Sequence, residues 1–351
     1  MEDLAFDIEG LDVVNLDVPS MSGVVNKVMN VKKRVNKLNR LQKERNIDVS
    51  YSFGITANIA NSMTKNAGKK IVACHSFEEI KSSRYMKLIG KRSDVLMCCS
   101  KAMTDMVQKE YGFSHIHAVW NPCDLERIVK QSADHPDDFS FFEKEGRRRL
   151  VTMGREDDVK GYWHLMKIFG RVAKQYPDVD LAVIGDGSFD EYKVMADKMG
   201  LSNRVVFTGN KKNPFPYLKS GDIFLLTSIS EGLPNALVEA MTLELPIVSV
   251  NCKTGPAEIL HDDFFEAESA NDVFYAEYGI LTPPFLAQKD TEVLFENGQV
   301  VLDEQEEKMA NEIISLLQDE NTRLKYSNRG PKRARDFSIE AYNEILEKLF
   351  S

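Results

Sequence analysis

Glu231 and Glu239 lie eight positions apart in the segment SEGLPNALVEAM, and what flanks them decides what they can do. The run Ile223–Leu226 ahead of them is short and apolar, with a β-branched residue and an aromatic, which predicts a buried strand. Pro246–Val250 predicts the next strand. Between them Ala236, Leu237, Ala240 and Met241 have helical spacing, and Pro234 suits the first helical position, where no backbone N–H is needed. The stretch from Asp222 to Glu258 therefore predicts a βαβ unit with one carboxylate in the turn and another about one turn inside the helix. Free N–H groups at the helix start, near Asn235 and Ala236, make an anion site. Beside that anion Glu239 can accept two hydroxyl hydrogen bonds, as a ribose diol would offer. A phosphate flanked by a ribose describes a nucleotide.

With its proline and flanking strands, Glu231-x7-Glu239 resembles the donor-site motif of the GT-B fold retaining glycosyltransferases of family 4 (group 1), of the bacterial surface-polysaccharide type. On the residues alone, two solvated acids on a surface helix would fit as well. The resemblance extends to other positions. Gly154-Arg155 followed by Lys160-Gly161 matches the family's pair of cations, which implies a clamp on the donor diphosphate. The physics agrees: a guanidinium grips phosphate oxygens bidentately and a lysine adds a mobile point charge. Asn121-Pro122-Cys123-Asp124 matches the phrase that closes the first domain's last strand, and Asn213-Pro214-Phe215-Pro216-Tyr217 resembles a turn of polysaccharide glycosyltransferases. His75 follows a strand directly, at the end where open α/β sheets bind ligands. A lone histidine there is also a common structural residue; the resemblance implies that it faces the reacting centre. It further implies that the backbone of Gly209, Asn210 and Lys211 meets the base. Leu233, Pro234, Asn235 and Ala236 would hold phosphate and sugar hydroxyls, Glu239 the ribose, and Glu231 the donor sugar. Transfer with retention implies same-face attack, with Glu231 as nucleophile left open.

The expected fold is α/β, GT-B: two Rossmann-like parallel-sheet domains facing a cleft. Strands are predicted at Asp48–Phe53, Lys70–Cys74, Ser93–Cys99, Ala118–Trp120, Arg149–Met153, Asp180–Ile184 and Arg204–Gly209, alternating with helices such as Thr56–Thr64 and Lys101–Tyr111. Leu11–Val18 reads as a strand or an extended segment. Polar Gln131–Arg149 reads as a linker, which divides the chain into 1–148, 149–335 and a final helix, 336–351, returning toward the first domain. Ser338 is the expected N-cap of that helix, Ile339–Phe350. No Gly-rich strand–loop–helix opens the chain as it does in the family, so the first domain is expected to be incomplete. Asp178-x-Asp180 has the shape of a metal motif of another glycosyltransferase class, but it precedes a strand, on the edge away from the ligand crevice, so no metal is expected.

At 351 residues two domains are the default. No run of 18 apolar residues appears, and the acidic start MEDLAFDIEG is unlike a secretory signal. The five cysteines lack CxxC spacing and fit reduced thiols. Net charge is −9, unevenly spread: Ser20–Trp120 carries +11 and the remainder −20. A basic stretch on an acidic chain suits an anionic surface, nucleic acid or membrane; the absence of a nucleic-acid motif leaves the membrane favoured. Val24–Arg45 reads as a basic amphipathic helix, either core-packed or lying on a membrane. The expected enzyme is cytoplasmic, or peripheral on the inner face of the cell membrane. It uses no cofactor beyond its nucleotide-sugar donor, most simply UDP-linked, and acts on a glycan or polyprenyl-linked acceptor. The rival is a catalytically silent subunit that binds nucleotide and a partner chain. A nicotinamide oxidoreductase is disfavoured, since no dinucleotide fingerprint follows any strand.

Overall fold

The computed structural model describes residues 10–19 and 23–350. They form two compact units. One holds the described residues up to Cys74 together with Glu79–Met97 and Phe113–Ile116; the other holds His75–Glu78, Cys98–Gly112 and the chain from His117 onward.

The smaller unit is built on a sheet of order β1-β2-β3-β4, from Val49–Phe53, Lys69–Cys74, Val95–Cys98 and Ile116–Ala118. β1 and β2 are parallel, with Tyr51 opposite Ile71. Helix Ile55–Ser62 packs on them through polar side chains. Asn58 donates to the carbonyl of Ala73 at 2.8 Å and to the hydroxyl of Tyr85 at 2.8 Å, and Asn61 donates to the carbonyl of Ser50 at 3.1 Å. Each amide is buried with its partners in place, so the arrangement avoids the 1–3 kcal/mol or so that an unsatisfied buried polar group costs. Helix Val24–Arg45 packs inward with Val35 and Gln42, while Val25 and Val28 stay 72% and 64% exposed. Leu11–Val18 forms no strand. Its carbonyls take hydrogen bonds from that helix instead: Arg34 reaches Val18 O at 3.2 Å and Lys37 reaches Leu16 O at 2.5 Å.

The larger unit carries β5 (Arg148–Met153), β6 (Val179–Ile184), β7 (Val205–Phe207), β8 (Ile223–Leu226), β9 (Ile247–Val250), β10 (Phe274–Tyr275) and β11 (Ile280–Thr282), in the order β10-β11-β9-β8-β5-β6-β7. Only the β10–β11 pair is antiparallel. β6 and β8 are buried throughout, which is why β8 reads as an unbroken apolar run and β6 as one broken only by Asp180. From β5 the chain builds outward through β6 and β7, then crosses to β8 on the other side. The reversal between β5 and β8 is a topological switch point, and open α/β sheets bind ligands in the crevice beyond the strand ends there. Helix Tyr162–Gln175 places Trp163, Leu165, Met166 and Phe169 in the core with Met309, Ile313 and Leu316 of helix Glu304–Gln318.

The aspartates of the supposed metal motif serve this fold. Asp180 is fully buried and accepts from Arg147 Nε at 2.9 Å, while Asp178 accepts from Arg148 Nε at 2.8 Å. The Arg148 hydrogen bond holds the Asp178 carboxyl below its usual range. Arg204 also lies 3.7 Å from Asp180, so the buried carboxylate is met by two guanidinium groups.

Candidate active site

The loops that leave β5 and β8 converge as the switch point requires. After β5, Gly154 is held by a 2.7 Å hydrogen bond from the buried Tyr162 hydroxyl to its carbonyl. The turn Gly185-Asp186-Gly187 passes directly behind. Glu156 N–H donates to Asp186 O at 2.6 Å, and a Cβ on Gly185 would lie 2.0 Å from Gly154 O. Gly161 has φ +63°, and a Cβ there would meet Thr227 O at 2.3 Å, so only glycine lets the Lys160 turn press against the end of β8. Ile229 N–H then donates to Val159 O at 2.7 Å, and the Thr227 hydroxyl to Lys160 O at 3.0 Å.

A cavity of about 570 Å³ opens above this junction, lined by His75–Glu78, Gly154, Arg155, Asp157, Val159, Lys160 and Ser230–Gly232. Four side chains singled out from the sequence meet here: His75, Arg155, Lys160 and Glu231. Arg155 is 75% exposed and rests 3.1 Å from Asp157. Lys160 is more enclosed and forms a 2.7 Å ion pair with Glu231. An anion entering the cavity meets one mobile guanidinium and one ammonium that must turn from its carboxylate. Thr254 donates its hydroxyl to Glu231 O, fixing the turn from the β9 side.

Helix Asn235–Thr242 follows. Pro234 is its N-cap, with ψ 96°, and not its first helical residue, so the helix begins one position later than the sequence suggested, because the chain is still extended there. No side chain caps this helix, so its first amides are available to a ligand. Leu233 and Pro234 are buried; Asn235, Ala236 and Glu239 are half-buried. Burial pushes the Glu239 carboxyl up from the ordinary 4.5 to about 7. Gly209 pairs with Gly185 in an isolated antiparallel bridge, and Asn210 is exposed. Lys211 is ion-paired with Asp138, which also accepts from the Tyr217 hydroxyl. The three residues proposed to meet a base thus lie beyond the ends of β6 and β7 and do not line the cavity.

Three residues were given no site role from the sequence. Gly232 is one: a Cβ would lie 2.3 Å from His75 O, so this glycine allows the β8 loop and the His75 backbone to touch. Asn121 is another, hydrogen-bonded to both His75 and Asn235. The third is Glu258, whose carboxylate accepts from the amides of Lys101 and Ala102 at 2.7 and 3.2 Å and from Trp120 Nε1. The sequence did offer signals for two of them: Gly232 stands beside a motif glutamate, and Asn121 opens the Asn121-Pro122-Cys123-Asp124 match. Among the described residues, His164, Asp303 and Glu306 are the group whose side-chain atoms could gather on a metal. The 2.6 Å between His164 Nδ1 and Glu306 Oε1 is a hydrogen-bond separation, and both acids cap helix Glu304–Gln318, so we read a structural pair.

The switch-point crevice, the parallel sheets and the flanking helices define a GT-B α/β protein. The Anabaena protein HepE, crystallised in complex with UDP, superimposes with a TM-score of 0.67 at 17% identity, over 90% of this chain and 81% of its own. Residues 134–274 match the model of the family "Glycosyl transferases group 1". An uncharacterized glycosyltransferase of Methanocaldococcus jannaschii is 39% identical over 192 residues, covering 54% of this chain and 46% of the relative. The Campylobacter jejuni N-acetylgalactosamine-N,N'-diacetylbacillosaminyl-diphospho-undecaprenol 4-alpha-N-acetylgalactosaminyltransferase is 23% identical over 75% of this chain and 61% of its own length. The chain spans about half the length of the curated relatives it matches.

Proposed function

We propose that this chain is a retaining glycosyltransferase that takes a sugar from a nucleotide diphosphate sugar, most simply a UDP-sugar. The acceptor is a glycan or a lipid-linked glycan in surface-polysaccharide synthesis at the inner face of the membrane. The observation that carries this reading is the convergence of Arg155, Lys160 and Glu231 on one cavity at the switch point, beside a helix start that no side chain caps. The relatives support the substrate classes: one is named for transfer onto a diphospho-undecaprenol glycan, and one structural neighbour holds UDP. Residues 149–335 hold the donor, and 1–148 serve the acceptor side.

Arg155 and Lys160 grip the diphosphate, and their charge stabilises the leaving phosphate as the glycosidic bond breaks. The amides near Asn235 and Ala236 complete that cradle. Glu239 accepts from the ribose hydroxyls, Glu231 orients the donor sugar, and His75 lies at the reacting end. When diphosphate draws Lys160 away, Glu231 is released to the sugar, so donor binding itself arms the acid. The acceptor oxygen bonds to the anomeric carbon on the face the phosphate leaves, and the phosphate oxygen takes the acceptor's proton. The test is calorimetry of the purified protein with UDP-, GDP- and ADP-sugars, followed by turnover. One class should bind, and Lys160→Ala should weaken it about tenfold or more, since a charged hydrogen bond contributes ~1.5–3 kcal/mol. Equal affinity in Lys160→Ala would refute the assignment; binding without turnover would identify a silent subunit.

A further inference from the structure

His75 is joined to the donor-site helix by a single side chain. Asn121 Oδ1 lies 2.9 Å from His75 Nδ1, and Asn121 Nδ2 donates to Asn235 Oδ1 at 3.1 Å. Asn235 is the first residue of helix Asn235–Thr242. All three belong to the larger unit. We infer that Asn121 is a positioning residue of this site, which fixes the tautomer and direction of the His75 ring and ties both to the first turn of the helix proposed to hold the donor phosphate.

The argument rests on what an amide offers. It has one accepting end and one donating end. With its NH2 spent on Asn235, Asn121 presents a carbonyl to the imidazole, and a carbonyl tolerates only N–H. The neutral ring therefore carries its hydrogen on Nδ1, against the solution preference for Nε2. The loop that presents Asn121 is itself anchored: Val119 N–H donates to Cys98 O at 2.9 Å and Cys123 N–H to Phe337 O at 2.8 Å, while Asp124 caps the next helix at Arg127 N. Pro122 sets φ between these anchors, so the asparagine is placed by backbone on both sides. On the opposite side, Gly232 lets the loop carrying Glu231 touch the His75 carbonyl. The His75 backbone thus lies against one donor-site loop, and its ring bonds to Asn121, which in turn bonds to the first residue of the donor-site helix. The charged groups around the same cavity are Glu78, Arg155, Asp157, Lys160 and Glu231.

This inference rests on the transferase reading for its kinetic consequence but not for its structural one, and the experiment separates the two. Full-length protein carrying 13C,15N-labelled histidine is titrated by NMR, with His75 assigned from the spectrum of His75→Gln. The wild-type neutral ring should show a protonated Nδ1. Asn121→Asp, whose carboxylate accepts from the same N–H, should raise the His75 pKa by about one unit or more. Asn121→Ala should return the ring to the Nε2–H form. Far-UV circular dichroism selects folded variants, and Asn121→Ser stands in if the alanine variant does not fold. In turnover, Asn121→Ala should lower kcat about tenfold or more with a smaller change in donor KM, and Asn121→Asp should recover part of it. A wild-type ring protonated at Nε2, or a His75 titration unmoved by Asn121→Asp, overturns the proposal whatever the enzyme does. A tautomer as expected with no turnover in any form leaves the relay standing and refutes the transferase.

Discussion

Glu239 and Glu231 carry different environments, and their substitutions should separate accordingly. Glu239 has its carboxyl pushed to about 7 by burial. Because the folded value lies above the ordinary one, ionising it costs stability, and that cost builds as pH rises from the ordinary 4.5 to about 7 and levels off above it. A ribose diol donating two hydrogen bonds favours the carboxylate, so donor binding must expel the proton. Donor affinity should therefore fall as pH drops below 7, approaching tenfold per unit, and Glu239→Gln should flatten that dependence while raising donor KM. Calorimetry between pH 5.5 and 8 reads it; a flat wild-type profile would remove the diol from Glu239. Glu231 is held by Lys160 at 2.7 Å, and in the proposed transfer it meets the sugar where charge changes. Interactions made only in the transition state alter kcat, so Glu231→Gln should mainly lower kcat. If it changes only KM, the acid binds sugar and does no more.

Elements with strong local signals were legible to the residue. Helices Val24–Arg45, Lys101–Tyr111 and Ile339–Phe350 match their sequence bounds, the second because Ser100 caps it and Gly112 ends it at φ 69°, the third because Ser338 accepts from Ala341 N at 3.2 Å. Helices Phe77–Ile80 and Ser83–Gly90 were not foreseen, since too few turns carry a 3.6 period to show it. Asn213–Tyr217 reads as a turn in the sequence, yet helix Phe215–Lys219 starts within it, with Pro214 and Pro216 where a helix start tolerates them. Arg155, Lys160 and Glu231, singled out through the family resemblance, line one cavity. The contacts of Asn121, Gly232 and Glu258 were not foreseen, because they depend on residues distant in the chain, although Asn121 was already marked by its motif. Helix Val24–Arg45 is packed at Val35, while Val25, Val28 and Met29 are exposed beside the exposed Lys27, Lys32 and Lys33, and that exposed stretch is what the membrane reading needs. It should bind anionic vesicles at about 1 kcal/mol per basic residue near the surface, weakening with salt. Reversing Lys27, Lys32 and Lys33 to Glu should release the protein in co-sedimentation; unchanged binding would leave the helix a packing element alone.

At the scale of the whole chain the question is where the positive charge for transfer comes from. The molecule carries a net −9, so cations at the cavity stand out against an acidic background. Diphosphate leaving groups need their growing charge met by metal, cationic side chains or helix amides. Here Arg155, Lys160 and the helix start at Asn235 converge on the switch point, while the Asp178 and Asp180 carboxylates that might have gathered a metal are bound to Arg148 and Arg147. Transfer should therefore proceed at full rate in excess EDTA, and added Mg²⁺ or Mn²⁺ should not raise it. The charge argument sharpens this into a paired test. If the side chains do the metal's work, Arg155→Ala should lose about tenfold or more in kcat/KM, and divalent cation should not restore it. Loss of activity in EDTA that Mn²⁺ restores would place the charge on a metal and reopen the choice of ligands. Recovery of Arg155→Ala by Mg²⁺ alone would show a phosphate site able to take either charge source, with the guanidinium as the one this chain ordinarily uses.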